Sequence, residues 1–144
     1  MMNKYLNPLS RTLLAAIFLL SGFGKIAGFH ATVAMAASAG LPLPSISIAI
    51  AALIEIVGGL GLLLGRQVRW SSLALIVYLI PATLVFHAAH LGDPAQGQMQ
   101  LIEVMKNLAI MGGLLKFYAD ASAERANNSR PETEGIAPRL QRAS

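Results

Sequence analysis

Four apolar runs, separated by short polar stretches, dominate the chain. The first, residues 12–28 (TLLAAIFLLSGFGKIAG), is broken by one charge, Lys25. The second, residues 46–64 (ISIAIAALIEIVGGLGLLL), also carries one charge, Glu55, close to its centre. The third, residues 70–89 (WSSLALIVYLIPATLVFHAA), contains Pro81 and His87. The fourth, residues 101–119 (LIEVMKNLAIMGGLLKFYA), contains Glu103, Lys106, Asn107 and Lys116. At about 1.5 Å per residue, helices of this length cross a hydrocarbon core of about 30 Å. The pattern therefore predicts an all-α protein, an integral membrane four-helix bundle occupying residues 1–119. Between the first two runs, FHATVAMAASAGLPLPS is expected to hold a short interfacial helix over His30–Ala39, stopped by Gly40, Pro42 and Pro44. Residues 120–144 are charged and lack apolar periodicity, and are expected to form a disordered cytoplasmic tail.

Composition strengthens the membrane reading. Only 12% of residues are charged and 55% are hydrophobic, against about 25% charged in soluble domains. The net charge of +4 would suit a nucleic-acid partner, but the position of the charges points elsewhere. Lys4 and Arg11 precede the first run, Arg66 and Arg69 sit between the second and third, and Lys116, Arg125, Arg130, Arg139 and Arg142 lie at the end of the fourth or beyond it. Nine of the eleven basic residues thus fall on one face, and the two opposite loops have none. The positive-inside rule then places both termini in the cytoplasm of a bacterial-type inner membrane. Tyr5, Trp70 and Tyr118 fall at the same interface, where amphipathic rings are favoured. The basic start, apolar core and Ala34-Met35-Ala36 also fit a cleavable signal peptide. Lys25 and Phe29 interrupt that pattern, and the helix-length run favours a span.

The two basic residues left over, Lys25 and Lys106, lie inside spans. From the helical rise, Lys25 is about 5 Å and Lys106 about 8 Å below the outer membrane face, with Glu103 and His87 about 3 Å and Glu55 about 13 Å down. Helical side chains lean toward their own N-terminus, so Glu55 and Lys106 lean outward while Lys25 and His87 lean inward. Glu103, Lys106 and Asn107 share one face of the fourth span. Lys25, Glu55, His87, Glu103, Lys106 and Asn107 are therefore expected to gather around an intramembrane polar cavity. Two simpler accounts stand beside this one. Lys25 and Glu103 could each snorkel to the interface, and Glu55 with Lys106 could form a plain buried ion pair that fixes helix register.

Other chemistry is poorly represented. There is no cysteine, which removes thiolate metal sites and cysteine-ligated clusters. His87, His90 and Asp93 form a weak H-x-x-H-x-x-D pattern at a helix end, so no metal is expected. Only one histidine lies inside a span, which disfavours bis-histidine haem. No nucleophile–base–orienter set emerges.

In order along the chain, SGFGKIAGF (21–29), AGLP (39–42), IEIVGGLGLLLG (54–65), VFH (85–87) and MKNLAIMGGLL (105–115) resemble the DoxX family of small four-helix membrane proteins. The resemblance covers about residues 8–119. It implies an inner-membrane bundle and, for some members, a subunit of a membrane redox complex such as one for thiosulfate–quinone oxidoreduction. Without cysteine or a redox centre of its own, the chain is expected to be an accessory or quinone-side subunit. Quinone is then the expected ligand, and a membrane or soluble oxidoreductase the expected partner besides membrane lipid. A quinone carbonyl would accept a hydrogen bond from Lys106, Asn107 or His87, with Glu55 as proton partner. Two alternatives remain open at this point: a small proton-coupled transporter using Glu55, and a structural anchor that docks a soluble partner through its basic face.

Overall fold

Helix formation follows the apolar runs, and in the computed structural model, which describes residues 3–129, all regular structure is helical. The elements are α1 (Asn3–Ala27), α2 (Phe29–Ser38), α3 (Pro44–Leu63), α4 (Val68–Phe86), a 3₁₀ turn (Ala88–His90) and α5 (Gly97–Asn128). Pro44 occupies the first turn of α3, where its missing N–H has no intrahelical partner to lose. The short helix expected over His30–Ala39 is α2, shifted by one residue. Gly65 takes a left-handed φ of 65° in the tight α3–α4 turn, a conformation open to glycine without steric cost.

Residue contacts fix the antiparallel register. On α1 and α3, Gly22 faces Ala52, Glu55 and Ile56, Leu19 and Ala15 face Gly59, and Arg11 faces Gly65. On α3 and α4, Gly58 packs on Leu75 and Gly61 on Ser71. Thr83 meets Asn107, and His87 meets Gln100, between α4 and α5. Leu14 of α1 reaches Gly113 of α5. At Gly22 a Cβ would lie 2.7 Å from Ile56 Cγ1 and 3.2 Å from Glu55 Cβ, so only glycine lets α1 and α3 approach this closely. The packed core is Ala15, Phe18, Leu62, Leu75, Leu79 and Leu114, drawn from α1, α3, α4 and α5.

The surface inverts the pattern of a water-soluble protein. Leu13, Leu20, Ile50, Leu53, Val57, Val77, Leu84 and Ile102 are exposed, while the one charge of α3, Glu55, is only 3% exposed. A carboxylate inside and leucines outside is the arrangement that a lipid solvent selects. Tyr5–Ala27, Pro44–Leu63 and Val68–His90 are long and apolar enough to cross a membrane. The fourth expected span, residues 101–119, is not in that group, because Glu103, Lys106 and Lys116 lower its apolarity. The expected boundary at residue 120 also needs correction, since α5 continues to Asn128. Ala119, Ala121, Ala123 and Ala126 favour helix, and Lys116 pairs with Asp120 one turn on. The rest of the expected tail, 130–144, lies outside the described residues.

Candidate functional site

The polar groups within the spans meet at two places. At the first, α1 presents Ser21 and Lys25 one turn apart, α3 presents Glu55, and α4 presents Tyr78. Lys25 Nζ lies 2.8 Å from Glu55 Oε2 and 3.0 Å from Oε1, and donates also to Ser21 Oγ at 2.7 Å. Ser21 Oγ and Tyr78 OH both donate to Glu55 Oε1, at 3.0 and 2.9 Å. Four hydrogen bonds, three from α1 and one from α4, thus converge on the α3 carboxylate. Side-chain exposure is 19% for Lys25 and 4% for Glu55. A charge pair removed from water this far needs further hydrogen bonds to persist, and here Ser21 and Tyr78 supply them.

At the second place, on α4 and α5, Asn107 Nδ2 donates to Thr83 Oγ1 (3.0 Å), whose hydroxyl donates to the Leu79 carbonyl (2.7 Å). His87, just past the end of α4, is 2.8 Å through Nδ1 from Gln100 Oε1. The Gln100 amide oxygen accepts there from Nδ1, which leaves Nε2 as the acceptor of the neutral ring. Lys106 pairs with Glu103 on the preceding turn of its own helix, with side chains 45% and 33% exposed.

The Glu55–Lys106 pair of the simpler account does not form. Glu55 takes Lys25, and Lys106 takes Glu103. The reason lies in register: Gly22 brings α1 against α3 at Glu55, and Lys25 follows one turn later on the same face. Lys106 has an acid within reach on its own helix. Lys25 is also no snorkelling residue, for its ammonium is held by Glu55 and Ser21.

All six sequence-derived residues, Lys25, Glu55, His87, Glu103, Lys106 and Asn107, line one cavity of about 1490 Å³. Its walls are otherwise mainly apolar, with Phe18, Ile54, Leu79 and Ile110 among them. The two walls differ in what they can still do. The ammonium of Lys25 is already directed at three oxygens, and Glu55 already accepts four bonds. Asn107 keeps a second N–H, Lys106 keeps donors beyond its one carboxylate, and His87 keeps Nε2. The α4–α5 wall is thus the one with hydrogen-bonding capacity for a ligand. Among the described residues, no group of three or more His, Asp or Glu side chains is placed to hold a metal ion.

Tyr78 and Gln100 join these clusters without being among the residues the sequence singles out. Tyr78 carries a signal nonetheless: the other two tyrosines lie beside the ends of apolar runs, whereas a phenol in the middle of one needs a buried partner.

The DoxX family model matches residues 8–88. That range takes in Lys25, Glu55, Tyr78 and His87 and ends before α5. The inner membrane protein YphA of Escherichia coli K12 is 29% identical over 109 residues, covering 74% of this chain and 76% of its own. The inner membrane protein YqjF of the same organism is 31% identical over 106 residues, with the same coverage of both chains. No solved structure matches.

Proposed function

This chain belongs to the DoxX family, and from its site we propose that it binds a quinone within the inner membrane as an accessory subunit of a redox system. Its relatives are named inner membrane proteins, and three of its helices are long and apolar enough to span. In this reading α5 is the fourth span of a bundle. Lys106 and Glu103 neutralise one another on its surface, and both termini lie in the cytoplasm with the nine flanking basic residues.

The observation that carries the ligand assignment is the asymmetry of the cavity. A quinone has an apolar body and carbonyl oxygens that only accept. The cavity offers apolar walls and, on one side, the donors Asn107 and Lys106. Its volume exceeds the roughly 300–1,000 Å³ typical of small-molecule pockets, which leaves room for a prenyl segment beside the ring. Asn107 and Lys106 would hold a carbonyl, and His87 Nε2 would accept from a quinol hydroxyl. The bound quinone would supply two-electron, two-proton redox chemistry, and a partner oxidoreductase the electrons. The Lys25–Glu55 cluster holds α1, α3 and α4 in the register that shapes the cavity. In this reading Glu55 serves the scaffold, its carboxylate accepting from Lys25, Ser21 and Tyr78.

The test is to purify the protein in mild detergent and extract it with organic solvent, measuring quinone per polypeptide and any co-purifying protein. About one quinone per chain, or a stoichiometric oxidoreductase, supports the proposal. A lone chain that extracts no quinone and takes none up when it is added would overturn it.

A further inference from the structure

Among the described residues, three buried side-chain atoms lack a hydrogen-bond partner: Arg11 Nε, Arg69 Nε and Ser72 Oγ. All three belong to the end of the molecule that carries the α3–α4 turn, and none of these residues lines the cavity. Arg11 lies over that turn, where a Cβ on Gly65 would come within 2.4–3.1 Å of its guanidinium. Arg69, in the first turn of α4, stands between two aromatic rings, 5.1 Å from the Trp70 centroid and 5.6 Å from that of Tyr118. Ser72 follows on the same face of α4, three residues later. Neither arginine joins any of the three ion pairs found among the described residues. Exposed Arg66 adds a third positive charge on the same turn.

A buried donor without an acceptor is destabilising, the more so when it is charged. Two such guanidinium donors beside one turn are a mark of an anion supplied from outside the chain. Arginine's planar fork matches phosphate oxygens in pairs, and the Trp70 and Tyr118 rings attract the Arg69 guanidinium. The neighbouring surface is apolar, with Leu64 and Trp70 exposed. A ligand that brings a phosphate to the arginines and hydrocarbon to that surface is a phospholipid.

We infer that Arg11 and Arg69 form a headgroup site for one anionic phospholipid at the α3–α4 end of the molecule. The site is separate from the quinone proposal and needs only that the chain be embedded in a bilayer. Trp70 alone touches both regions, since its ring also lines the cavity.

The experiment is native mass spectrometry of the full chain in mild detergent, titrated with phosphatidylglycerol or phosphatidylcholine. One phosphatidylglycerol should be retained per chain, with phosphatidylcholine at least about fivefold weaker. Arg11→Gln should lower retention by about fivefold. Arg69→Lys, which keeps the charge and is well suited to fold, should lower it by a similar factor through loss of the fork. Lys116→Gln, at an exposed residue paired with Asp120, should leave it unchanged. Equal retention of the two lipids would overturn the site, as would an equal loss in Lys116→Gln, which would indicate general charge attraction. Displacement of the lipid by millimolar inorganic phosphate would also overturn it, by showing a site for soluble anions.

Discussion

Two lysine–glutamate pairs lie within the apolar helices of this protein, and they are built differently. Lys25–Glu55 joins two helices, is nearly enclosed, and is completed by Ser21 and by Tyr78 from a third helix. Lys106–Glu103 stays within a single helix turn and is one-third to one-half exposed. The first cannot be disturbed without moving α1, α3 and α4 relative to one another. The second leaves an ammonium free to turn toward whatever enters the cavity. A charge in an apolar span therefore has no single meaning. Its role follows from whether its partner is on another helix and whether its remaining bonds are filled.

The comparison predicts a graded set of losses. Replacing one member of the enclosed pair, Lys25→Met or Glu55→Leu, leaves a buried charge unmatched and should destabilise by about 3–5 kcal/mol. Thermal unfolding in detergent would show this, together with reduced protein in the membrane. Combining the two apolar replacements should recover much of the loss. If the double variant is as unstable as the sum of the singles, the pair is not acting as a unit. Tyr78→Phe removes one hydrogen bond to the carboxylate and should lower stability by about 1.5–3 kcal/mol, read from the same melts.

Gly22→Ala tests whether close approach sets the register. Its Cβ would press on Ile56 and on Glu55 itself, and a loss of about 1–3 kcal/mol is expected. An unchanged melting temperature would mean that α1 and α3 yield at this point. For the exposed pair, Glu103→Gln should change stability by less than about 1 kcal/mol, because a surface-type pair contributes little. A loss there as large as that of Glu55→Leu would erase the distinction between the two pairs.

Much of this arrangement was legible in the residues alone. Glu55, the only charge in α3, had to be inside and had to be answered, and the polar positions on the other helices were expected at its level. What could not be read was which cation answers it. Helical rise placed Lys25 well above Glu55, yet its long side chain leans back down α1, and the contact at Gly22 brings the two helices together at that depth. Lys106 lay nearer in depth but had Glu103 one turn away. Tyr78 carries no charge, so nothing in its run marks it as a partner for Glu55. The continuation of α5 to Asn128 was hidden by charge, since a polar, alanine-containing helix shows no apolar stripe.

In the proposed function the α5 wall takes the ligand while the Glu55 cluster holds the scaffold. Trp70, the only tryptophan in the chain, is among the residues that line the cavity. The decisive measurement is quenching of its fluorescence by a water-soluble short-chain quinone, compared between the unmodified chain, Asn107→Leu and Glu103→Gln at matched folding. The account predicts saturable quenching, weakened about three- to tenfold by Asn107→Leu through loss of one hydrogen bond, and within about twofold of the unmodified chain for Glu103→Gln. Saturable quenching of equal affinity in all three would contradict it, and so would quenching that rises linearly without saturation.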